Sequence, residues 1–296
     1  MTTTAFSAGS LQTSGLQTIG VLGAGTMGHG IAQVFAQSGL TVQLVDNQQA
    51  QLDTAVKAVD RSLAKFVEKG KLASDQHTAA LARLHTNTDI EVFAGCDLVV
   101  EAITENEAVK IDLFRKLDAL CPAETLFASN TSAISLTRMA AATSRPDRFM
   151  GMHFMNPVPL MQLVELIRAL QTSDETFNAI KSLSEQLGKT PIEVRDAPGF
   201  VSNRILMPMI NEAIFTLYEG VAEAEAIDSV MTLGMNHPMG PLKLADMIGL
   251  DTCLFIMNVL HDGFKDPKYR PCPLLVQMVD AGYTGRKSGR GFYNYD

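Results

Sequence analysis

The chain has 296 residues, of which 46% are hydrophobic and 19% are charged, and its formal net charge is −8. This length suits about two domains, and the negative charge argues against nucleic acid or an anionic membrane as a partner. The four cysteines lie far apart, with neither CxxC nor metal-ligand spacing, so we expect reduced thiols, no metal site and a cytoplasmic protein. No apolar run approaches the length of a membrane span.

The first segment, residues 1–17, is rich in serine, threonine, glycine and glutamine and contains no lysine or arginine. It is unlike a secretory signal or a mitochondrial presequence, both of which carry basic residues. We expect it to be a flexible N-terminal tail.

A glycine-rich turn follows the first predicted strand, residues 18–22. The turn reads Gly23-Ala-Gly-Thr-Met-Gly28, and an apolar-periodic helix follows it and stops near Gly39. This order of strand, turn and helix is typical of a dinucleotide-binding unit. The glycine pattern alone is weak evidence, because glycine-rich turns are common, and a structural turn that binds no ligand is the alternative. The residues that the motif predicts to bind the cofactor are Gly23, Gly25, Thr26, Met27 and Gly28.

An acidic residue ends the second predicted strand, Thr41 to Asp46. A carboxylate at this place accepts hydrogen bonds from both ribose hydroxyls of the cofactor. No arginine follows Asp46 that would pair with a 2′-phosphate, so the sequence favours NAD over NADP.

Strands and helices continue to alternate up to about residue 197. We predict helices over 50–70, 75–84 and 106–119, and strands over 96–103, 125–130 and 191–195. Such βαβ units form a mostly parallel sheet, and its sites gather beyond the carboxyl ends of the strands. Glu105, Asn130 and Ser132 are therefore expected near the cofactor, although helix capping is an alternative role for Asn130 and Ser132.

Two polar residues lie in apolar, strand-like segments on either side of an Asn-Pro-Val-Pro break. His153 and Glu165 are equidistant from Pro159, so a chain reversal there would bring them together. A carboxylate bonded to an imidazole fixes its tautomer and orients the other ring nitrogen as a general base. A structural pair of buried polar residues is the alternative.

Beyond residue 197 the chain is predicted to be helical. The first helix carries an apolar stripe at spacings of four, three and four, formed by Leu206, Ile210, Ala213 and Leu217. Extended back by one turn, the stripe reaches Asn203, whose amide is either a packed structural hydrogen-bonding group or a group directed into a cleft. We therefore expect an α/β, Rossmann-like dinucleotide-binding domain over 18–197, followed by a smaller all-α domain over 198–296 that contributes to the substrate cleft and to dimerisation. Residues 285–291 are predicted to form a glycine-rich C-terminal turn, with Phe292, Tyr293 and Tyr295 packing back.

A basic ridge occupies one face of the helix predicted over 50–70. It consists of four residues at intervals of four, namely Lys57, Arg61, Lys65 and Lys69. Like charges at this spacing repel one another, so the ridge indicates either an anion-binding surface or a solvated face relieved by neighbouring acidic residues, Asp53, Asp60 and Glu68.

Six motifs together resemble the L-3-hydroxyacyl-CoA dehydrogenase family, over residues 18–296. They are the glycine turn, Ser-Asn-Thr-Ser at 129–132, His-Phe-Met-Asn-Pro-Val-Pro at 153–159 with Glu165, Pro-Gly-Phe-Val-Ser-Asn-Arg at 198–204, His-Pro-Met-Gly-Pro at 237–241 and Gly-Arg-Gly-Phe-Tyr at 289–293. The compact length, without a fused hydratase, is most similar to the family's bacterial 3-hydroxybutyryl-CoA dehydrogenases.

The resemblance implies an NAD-dependent interconversion of (S)-3-hydroxyacyl-CoA and 3-oxoacyl-CoA, of short chain length, by a homodimer. It implies that His153 is the general base or acid and that Glu165 orients it. Substrate contacts implied by the resemblance are Ser132, Asn156 and Asn203, of which Ser132 and Asn203 hydrogen-bond the substrate near the reacting oxygen. Coenzyme A would be the anion at the basic ridge, with Ser62, Lys65 and Lys69 as contacts, and Lys110 would contact the cofactor or the substrate.

Two other functions remain open from the sequence. One is an NAD-dependent sugar-acid 3-dehydrogenase on the same scaffold, which would act without coenzyme A. The other is a non-catalytic NAD-binding or structural protein. The presence of all four polar site residues, His153, Glu165, Ser132 and Asn203, argues against it.

Overall fold

The computed structural model describes residues 15–295; most of the predicted N-terminal tail, residues 1–14, lies outside them. The chain divides into two units. The first consists of residues up to Thr131 together with Ser135–Asp196, and the second consists of Ser132–Ile134 together with the chain from Ala197 onward.

One eight-stranded sheet forms the centre of the first unit, in the order β3-β2-β1-β4-β5-β6-β7-β8. The strands are β1 Thr18–Leu22, β2 Thr41–Val45, β3 Leu84–Asn87, β4 Leu98–Glu101, β5 Leu126–Ser129, β6 Phe149–Phe154, β7 Leu163–Arg168 and β8 Thr190–Arg195. All neighbouring strands are parallel except β6 and β7. The carboxyl ends of β1, β2, β4, β5 and β6 therefore share one edge of the sheet.

Six helices accompany this sheet among the described residues. They are α1 Thr26–Gln37, α2 Gln49–Glu68, α3 Ser74–Ala82, α4 Glu107–Leu120, α5 Leu136–Ala140 and α6 Asp174–Gln186. Their apolar faces and the sheet build one large core, in which β1, α1 and β2 supply fully buried aliphatic residues. This burial of a parallel sheet is typical of α/β proteins.

The second unit is built from helices. They are α7 Ser202–Tyr218, α8 Ala224–Ser229, α9 Pro241–Ile248, α10 Leu250–Phe264 and α11 Pro273–Asp280. The predicted fold class, an α/β Rossmann-like domain followed by a smaller all-α domain, is confirmed.

The buried face of α7 differs slightly from the predicted stripe. Ile210 and Ala213 are buried, but Met207 and Ile214 are more fully buried than the predicted Leu206 and Leu217, which lie at the margin of the core. The buried stripe is therefore broader than the predicted one, because adjacent residues such as Ala213 and Ile214 both belong to the core of the helical unit.

Two buried aspartates fasten the C-terminal segment of the second unit. Asp246 accepts hydrogen bonds from the backbone N–H groups of Phe292 and Tyr293 and from the Tyr295 hydroxyl, at 2.9–3.0 Å. Asp228 accepts a hydrogen bond from the Tyr293 hydroxyl at 2.8 Å. The predicted packing of the C-terminal aromatic residues against the helical domain is thus confirmed.

The helix predicted over 75–84 is present as α3, but its end was predicted two residues too late and β3 was missed. The helix predicted over 75–84 ends at Ala82, and β3 begins at Leu84 and pairs with β2. This four-residue strand at the edge of the sheet reads Leu-His-Thr-Asn and is only half-buried, so it lacks the apolar alternation by which strands are recognised.

Within residues 15–295, no single helix has both the length and the apolar composition to cross a membrane; α9 and α10 reach them only as a pair, and a bend of 98° separates the two.

Candidate active site

The three glycines of the first turn, Gly23, Gly25 and Gly28, differ in whether the fold itself would allow a side chain at their positions. Gly23 has φ +99°, and a Cβ there would lie 2.6 Å from the carbonyl oxygen of Ala102. A Cβ on Gly28 would lie 1.7 Å from the carbonyl oxygen of Gly23. These two glycines are therefore required by the fold itself, because any side chain would displace the turn or the helix that follows it.

At Gly25, by contrast, the described part of the protein leaves room for a side chain. A Cβ built there would have no atom of residues 15–295 within 4 Å, apart from its chain neighbours. Gly25 is the N-cap of α1, and no side chain caps the free N–H groups of that helix. Uncapped N–H groups beside open space are what a pyrophosphate requires, so this turn fits a dinucleotide.

Asp46 lies beside this turn, directly after β2. Its Oδ2 accepts a hydrogen bond from the backbone N–H of Ala24 at 2.9 Å, and its Oδ1 accepts one from Gln48 N–H at 3.0 Å. The half-buried carboxylate is thus fixed next to the glycine turn, and each oxygen retains a lone pair for a ribose hydroxyl.

His153 and Glu165 meet as the chain reversal predicts. They are direct partners in the antiparallel register of β6 and β7, and Nδ1 of His153 donates to Oε2 of Glu165 at 2.8 Å. Both residues are buried, at 5% and 2% exposure. The carboxylate fixes the tautomer in which Nδ1 carries the proton, so Nε2 is the basic nitrogen.

Asn130 ties the end of β5 to the strand that carries His153. Its side-chain Oδ1 accepts a hydrogen bond from the backbone N–H of Phe154 at 2.9 Å. Asn130 therefore does not act as a helix cap, which was the alternative role that the sequence left open.

Ser132 and Asn203 lie together in the second unit. The amide Nδ2 of Asn203 donates to the backbone carbonyl oxygen of Ser132 at 3.2 Å, and Asn203 is 8% exposed. The N-cap of α5 is Ser135, whose hydroxyl accepts a hydrogen bond from Arg138 N–H. The capping alternative for Ser132 is therefore wrong, because the helix begins three residues later than that alternative requires.

Glu105 and Lys110 belong to a buried polar network at the carboxyl end of β4. The ammonium of Lys110 contacts carboxylate oxygens of Glu101 at 2.5 Å and of Glu105 at 3.1 Å, and Lys110 is 1% exposed. The sequence interpretation missed Glu101, which appeared only as part of a buried strand. Direct contact of Glu105 or Lys110 with a cofactor stays a prediction.

A cavity of about 320 Å³ lies between α2 and the β6–β7 loop of the first unit. Three residues of its polar lining, Ser62, Lys65 and Lys69, are the predicted coenzyme A contacts. The other two are Arg61 and Lys71. Its apolar lining is Ala58, Phe66, Pro157, Pro159 and Leu160. Lys57 belongs to the predicted ridge but does not line the cavity, whereas Lys71 lines it and was not predicted. Asn156, a predicted substrate contact, is exposed in the β6–β7 loop, which also supplies the two prolines of the lining.

The cations of this cavity form no ion pair with the acidic residues of the same helix, all of which lie in the described part of the chain. Asp60 binds His77 at 2.8 Å, and Asp53 accepts a hydrogen bond from Gln49 at 2.9 Å. Among residues 15–295, no ion pair involves Arg61, Lys65 or Lys69. This finding favours an anion-binding surface over an internally compensated one.

Comparison with known proteins agrees with this geometry over nearly the whole chain. The family model for the NAD binding domain of 3-hydroxyacyl-CoA dehydrogenase matches residues 18–197. The family model for the C-terminal domain of 3-hydroxyacyl-CoA dehydrogenase matches residues 199–295. The chain belongs to the 3-hydroxyacyl-CoA dehydrogenase family. The glycine turn and Asp46 accordingly lie in an NAD-binding domain, and the chain is an NAD-dependent dehydrogenase.

Individual members of the 3-hydroxyacyl-CoA dehydrogenase family are highly similar. A probable 3-hydroxybutyryl-CoA dehydrogenase of Deinococcus radiodurans is 61% identical over 93% of this chain and 99% of its own length. A probable 3-hydroxybutyryl-CoA dehydrogenase of Bacillus subtilis is 54% identical over 95% of this chain and 98% of its own length. The crystal structure of an (S)-3-hydroxybutyryl-CoA dehydrogenase from Ralstonia eutropha has a TM-score of 0.91 at 54% identity, and covers 95% of this chain and 99% of that one.

Proposed function

We propose that this dehydrogenase interconverts (S)-3-hydroxybutyryl-CoA and acetoacetyl-CoA, with His153 as the proton-transferring residue. The observation that carries the proposal is the buried His153–Glu165 pair at the carboxyl edge of the NAD-binding sheet. Relatives at 54–61% identity that are named 3-hydroxybutyryl-CoA dehydrogenases support the choice of substrate.

In this mechanism Nε2 of His153 takes the proton of the 3-hydroxyl group during oxidation and returns it during reduction. Bound NAD would supply the acceptor for the hydride that leaves C3. As the imidazole becomes cationic, the adjacent Glu165 carboxylate stabilises the charge through the bond at Nδ1. Because both partners are buried, this interaction is stronger than it would be in water.

Ser132 and Asn203 are proposed to hydrogen-bond the substrate near its reacting oxygen. Asn203 is nearly buried at the first turn of α7 and is oriented by its bond to the Ser132 carbonyl. A hydroxyl and an amide donate to a developing alkoxide without adding a formal charge, which is the usual composition of an oxyanion site. Asn156, exposed in the β6–β7 loop, is proposed as a further substrate contact.

The cavity beside α2 is proposed to hold the nucleotide end of coenzyme A. Its apolar wall of Phe66, Pro157 and Pro159 suits a purine ring, and its four cationic side chains suit phosphate groups. An uncharged sugar or a single carboxylate would leave most of these cations without a partner. The cavity thus favours a thioester of coenzyme A over the sugar acid of the alternative function.

The decisive experiment compares NADH oxidation with acetoacetyl-CoA, with S-acetoacetylpantetheine, which has no nucleotide, and with free acetoacetate. We expect efficient turnover of the CoA thioester, a raised KM for the pantetheine thioester with a smaller change in kcat, and negligible turnover of acetoacetate. Turnover of none of them, with NADH still bound, would favour the sugar-acid or the non-catalytic alternative.

Variants of the cavity test the coenzyme A assignment separately. Lys65→Met and Lys69→Met should each raise KM for acetoacetyl-CoA roughly tenfold, because each removes a charge-assisted contact, and should leave KM for the pantetheine thioester unchanged. Lys57→Met is the matched control, since Lys57 lies on the same helix outside the cavity. An equal effect of Lys57→Met and Lys65→Met would contradict the assignment.

We further propose that the protein is a cytoplasmic homodimer that associates through its helical unit. An apolar cavity of about 490 Å³ in this unit is lined in part by exposed side chains, including Val221 at 71% and Val230 at 61% exposure. Leu233, on the same short helical segment as Val230, is 88% exposed. Such a patch is unusual on a monomer. A Leu233→Asp variant should shift the mass measured by light scattering from dimer to monomer. Four buried, unpaired cysteines accord with a reducing compartment.

A further inference from the structure

The buried network at the end of β4 is a closed ring of five residues, linked by four side chains and by both the side chain and the backbone N–H of Thr131. Lys110 Nζ donates to Glu101 Oε1 at 2.5 Å, and Ser129 Oγ donates to Glu101 Oε2 at 2.6 Å. Ser129 Oγ accepts from Thr131 N–H at 3.2 Å, and Thr131 Oγ1 donates to Glu105 Oε1 at 2.5 Å. Glu105 Oε2 closes the ring at 3.1 Å from Lys110 Nζ.

The ring carries an excess of one negative charge, because it holds two carboxylates and one ammonium. Glu101 is fully buried and also accepts a hydrogen bond from Ile103 N–H at 2.7 Å, so its charge is the one most directly balanced by Lys110. Removing either member of such a pair leaves an uncompensated buried charge. The side chain of Glu105 is 27% exposed, whereas those of Glu101 and Lys110 are at most 1% exposed. The excess charge is therefore presented at Glu105.

The position of the ring in the sheet relates it to one half of the dinucleotide. Glu101 is the direct partner of Leu22 on β1 and of Ser129 on β5, so the ring lies one strand away from the glycine turn. Strand order reverses between β1 and β4, and the dinucleotide binds across such a reversal. Asp46, directly after β2, belongs to the adenosine half, so the half formed by β4 and β5 belongs to the nicotinamide nucleotide.

We propose that Glu101 and Lys110 are positioning residues that hold the Glu105 carboxylate toward the nicotinamide half of the site, where its negative charge favours NAD⁺ over NADH. The nicotinamide ring carries a positive charge in the oxidised form and none in the reduced form. A fixed carboxylate therefore discriminates between the two redox states of the same ligand, in addition to any contact that it makes with both. The proposal depends on the NAD-binding domain and not on the identity of the substrate.

The test measures the dissociation constants of NAD⁺ and NADH separately, by calorimetry and by fluorescence, without substrate. Glu105→Gln should raise the ratio of the NAD⁺ constant to the NADH constant about three- to tenfold, as expected for removal of one partly screened charge. A tenfold change corresponds to about 30 mV in the potential of the bound two-electron couple. Retained binding of both forms with an unchanged ratio would overturn the proposal, as would equal weakening of both.

Two further variants separate charge from structure. Glu101→Gln keeps the size of the side chain, and the Lys110 charge then offsets that of Glu105, so the ratio should change in the same direction as in Glu105→Gln. A purely structural ring would lower the melting temperature of Glu101→Gln but leave the ratio unchanged, which would overturn the positioning role. Glu107→Gln is the matched control, because Glu107 pairs with Arg138 outside the ring at a partly exposed position; its ratio should equal that of the parent. Glu105→Gln remains informative if the buried variant fails to fold.

Discussion

Glu165 faces His153 directly across an antiparallel strand pair, and the bond between them is 2.8 Å long. Both residues therefore lie on strands of the same sheet, not on loops, and the backbone ladder on either side fixes their separation. A loop movement during substrate binding would leave the orientation of the imidazole unchanged. The base proposed at His153 would therefore need no rearrangement before proton transfer, which is the physical advantage of a preorganised site.

Replacement of His153 by alanine should lower turnover of acetoacetyl-CoA by about 10²- to 10⁴-fold, the usual contribution of a general acid or base. The NADH dissociation constant, measured by fluorescence titration, should change little. His77→Ala is a suitable control, because His77 forms a similar bond to Asp60 at 2.8 Å on a more exposed part of the molecule. Unchanged turnover in His153→Ala would remove the residue from the mechanism.

Replacement of Asp46 by alanine should weaken NADH binding roughly 10- to 100-fold, because one carboxylate is expected to bond two ribose hydroxyls. The fold should persist, since the variant loses only the two bonds that Asp46 accepts from Ala24 and Gln48. Calorimetry of binding and thermal unfolding check the two parts. Asp53→Ala, an exposed change on α2, should bind NADH like the parent, and equal affinity in Asp46→Ala would refute the role.

Lys189 secures the loop between β6 and β7. It is 9% exposed, and its ammonium donates to the carbonyl oxygens of Val158 at 2.6 Å and of Met161 at 2.7 Å. Lys189→Met should leave both carbonyls without this donor and should speed amide hydrogen exchange within residues 155–162. KM for acetoacetyl-CoA should rise severalfold, because this loop lines the basic cavity.

Lys181→Met, an exposed change on neighbouring α6, is the control for this loop variant. The Lys189 result also has a pH component, because burial lowers the pKa of Lys189 from its ordinary value. At pH values below this lowered pKa, the buried ammonium reduces the free energy of unfolding. The reduction disappears as the pH rises from the lowered pKa toward the ordinary value of 10.5. The Met variant should lack that part of the pH dependence of unfolding. Identical exchange rates in parent and variant would contradict the role of Lys189.

The four cysteines should be inert toward iodoacetamide in the native protein at pH 8. Burial raises the pKa of Cys96 and of Cys253 to about 12 and that of Cys121 to about 11, and it also raises the pKa of Cys272. The thiolate is the reactive form, so both its scarcity and its burial protect these residues. Mass spectrometry should find four alkylated thiols only after denaturation, and stoichiometric labelling of the folded protein would contradict the burial.

The sequence predicted the parts of the site whose geometry follows from local order. The glycine turn, the helix after it and Asp46 appear in one continuous βαβ unit, and His153 and Glu165 are symmetric about a proline-rich reversal. In both cases the chain spacing limits the arrangement to a few possibilities. The pairing of β6 with β7 confirms the second of these expectations.

The polar ring could not be predicted in the same way. Glu101 lies in a short run of buried residues, and a carboxylate is tolerated there because Lys110 of α4 pairs with it and because Ser129 and the Ile103 N–H also donate to it. Ser129 at the end of β5 donates to Glu101, and Thr131 just after β5 donates to Glu105. The periodicity of the sequence does not reveal either contact. Tertiary hydrogen bonding is therefore the physical reason why the sequence interpretation described Lys110 as a ligand contact and overlooked its carboxylate partners.

Gly25 and Gly28, only three residues apart, should respond in opposite ways when a randomised library is sorted. Among variants recovered for folding alone, position 25 should accept alanine or serine, because the described protein leaves that volume open, while position 28 should return only glycine. Among variants recovered for growth that depends on the enzyme, both positions should return glycine. A comparison of the two selections would thus separate the residues that the chain keeps for its own shape from those that it keeps for its ligand.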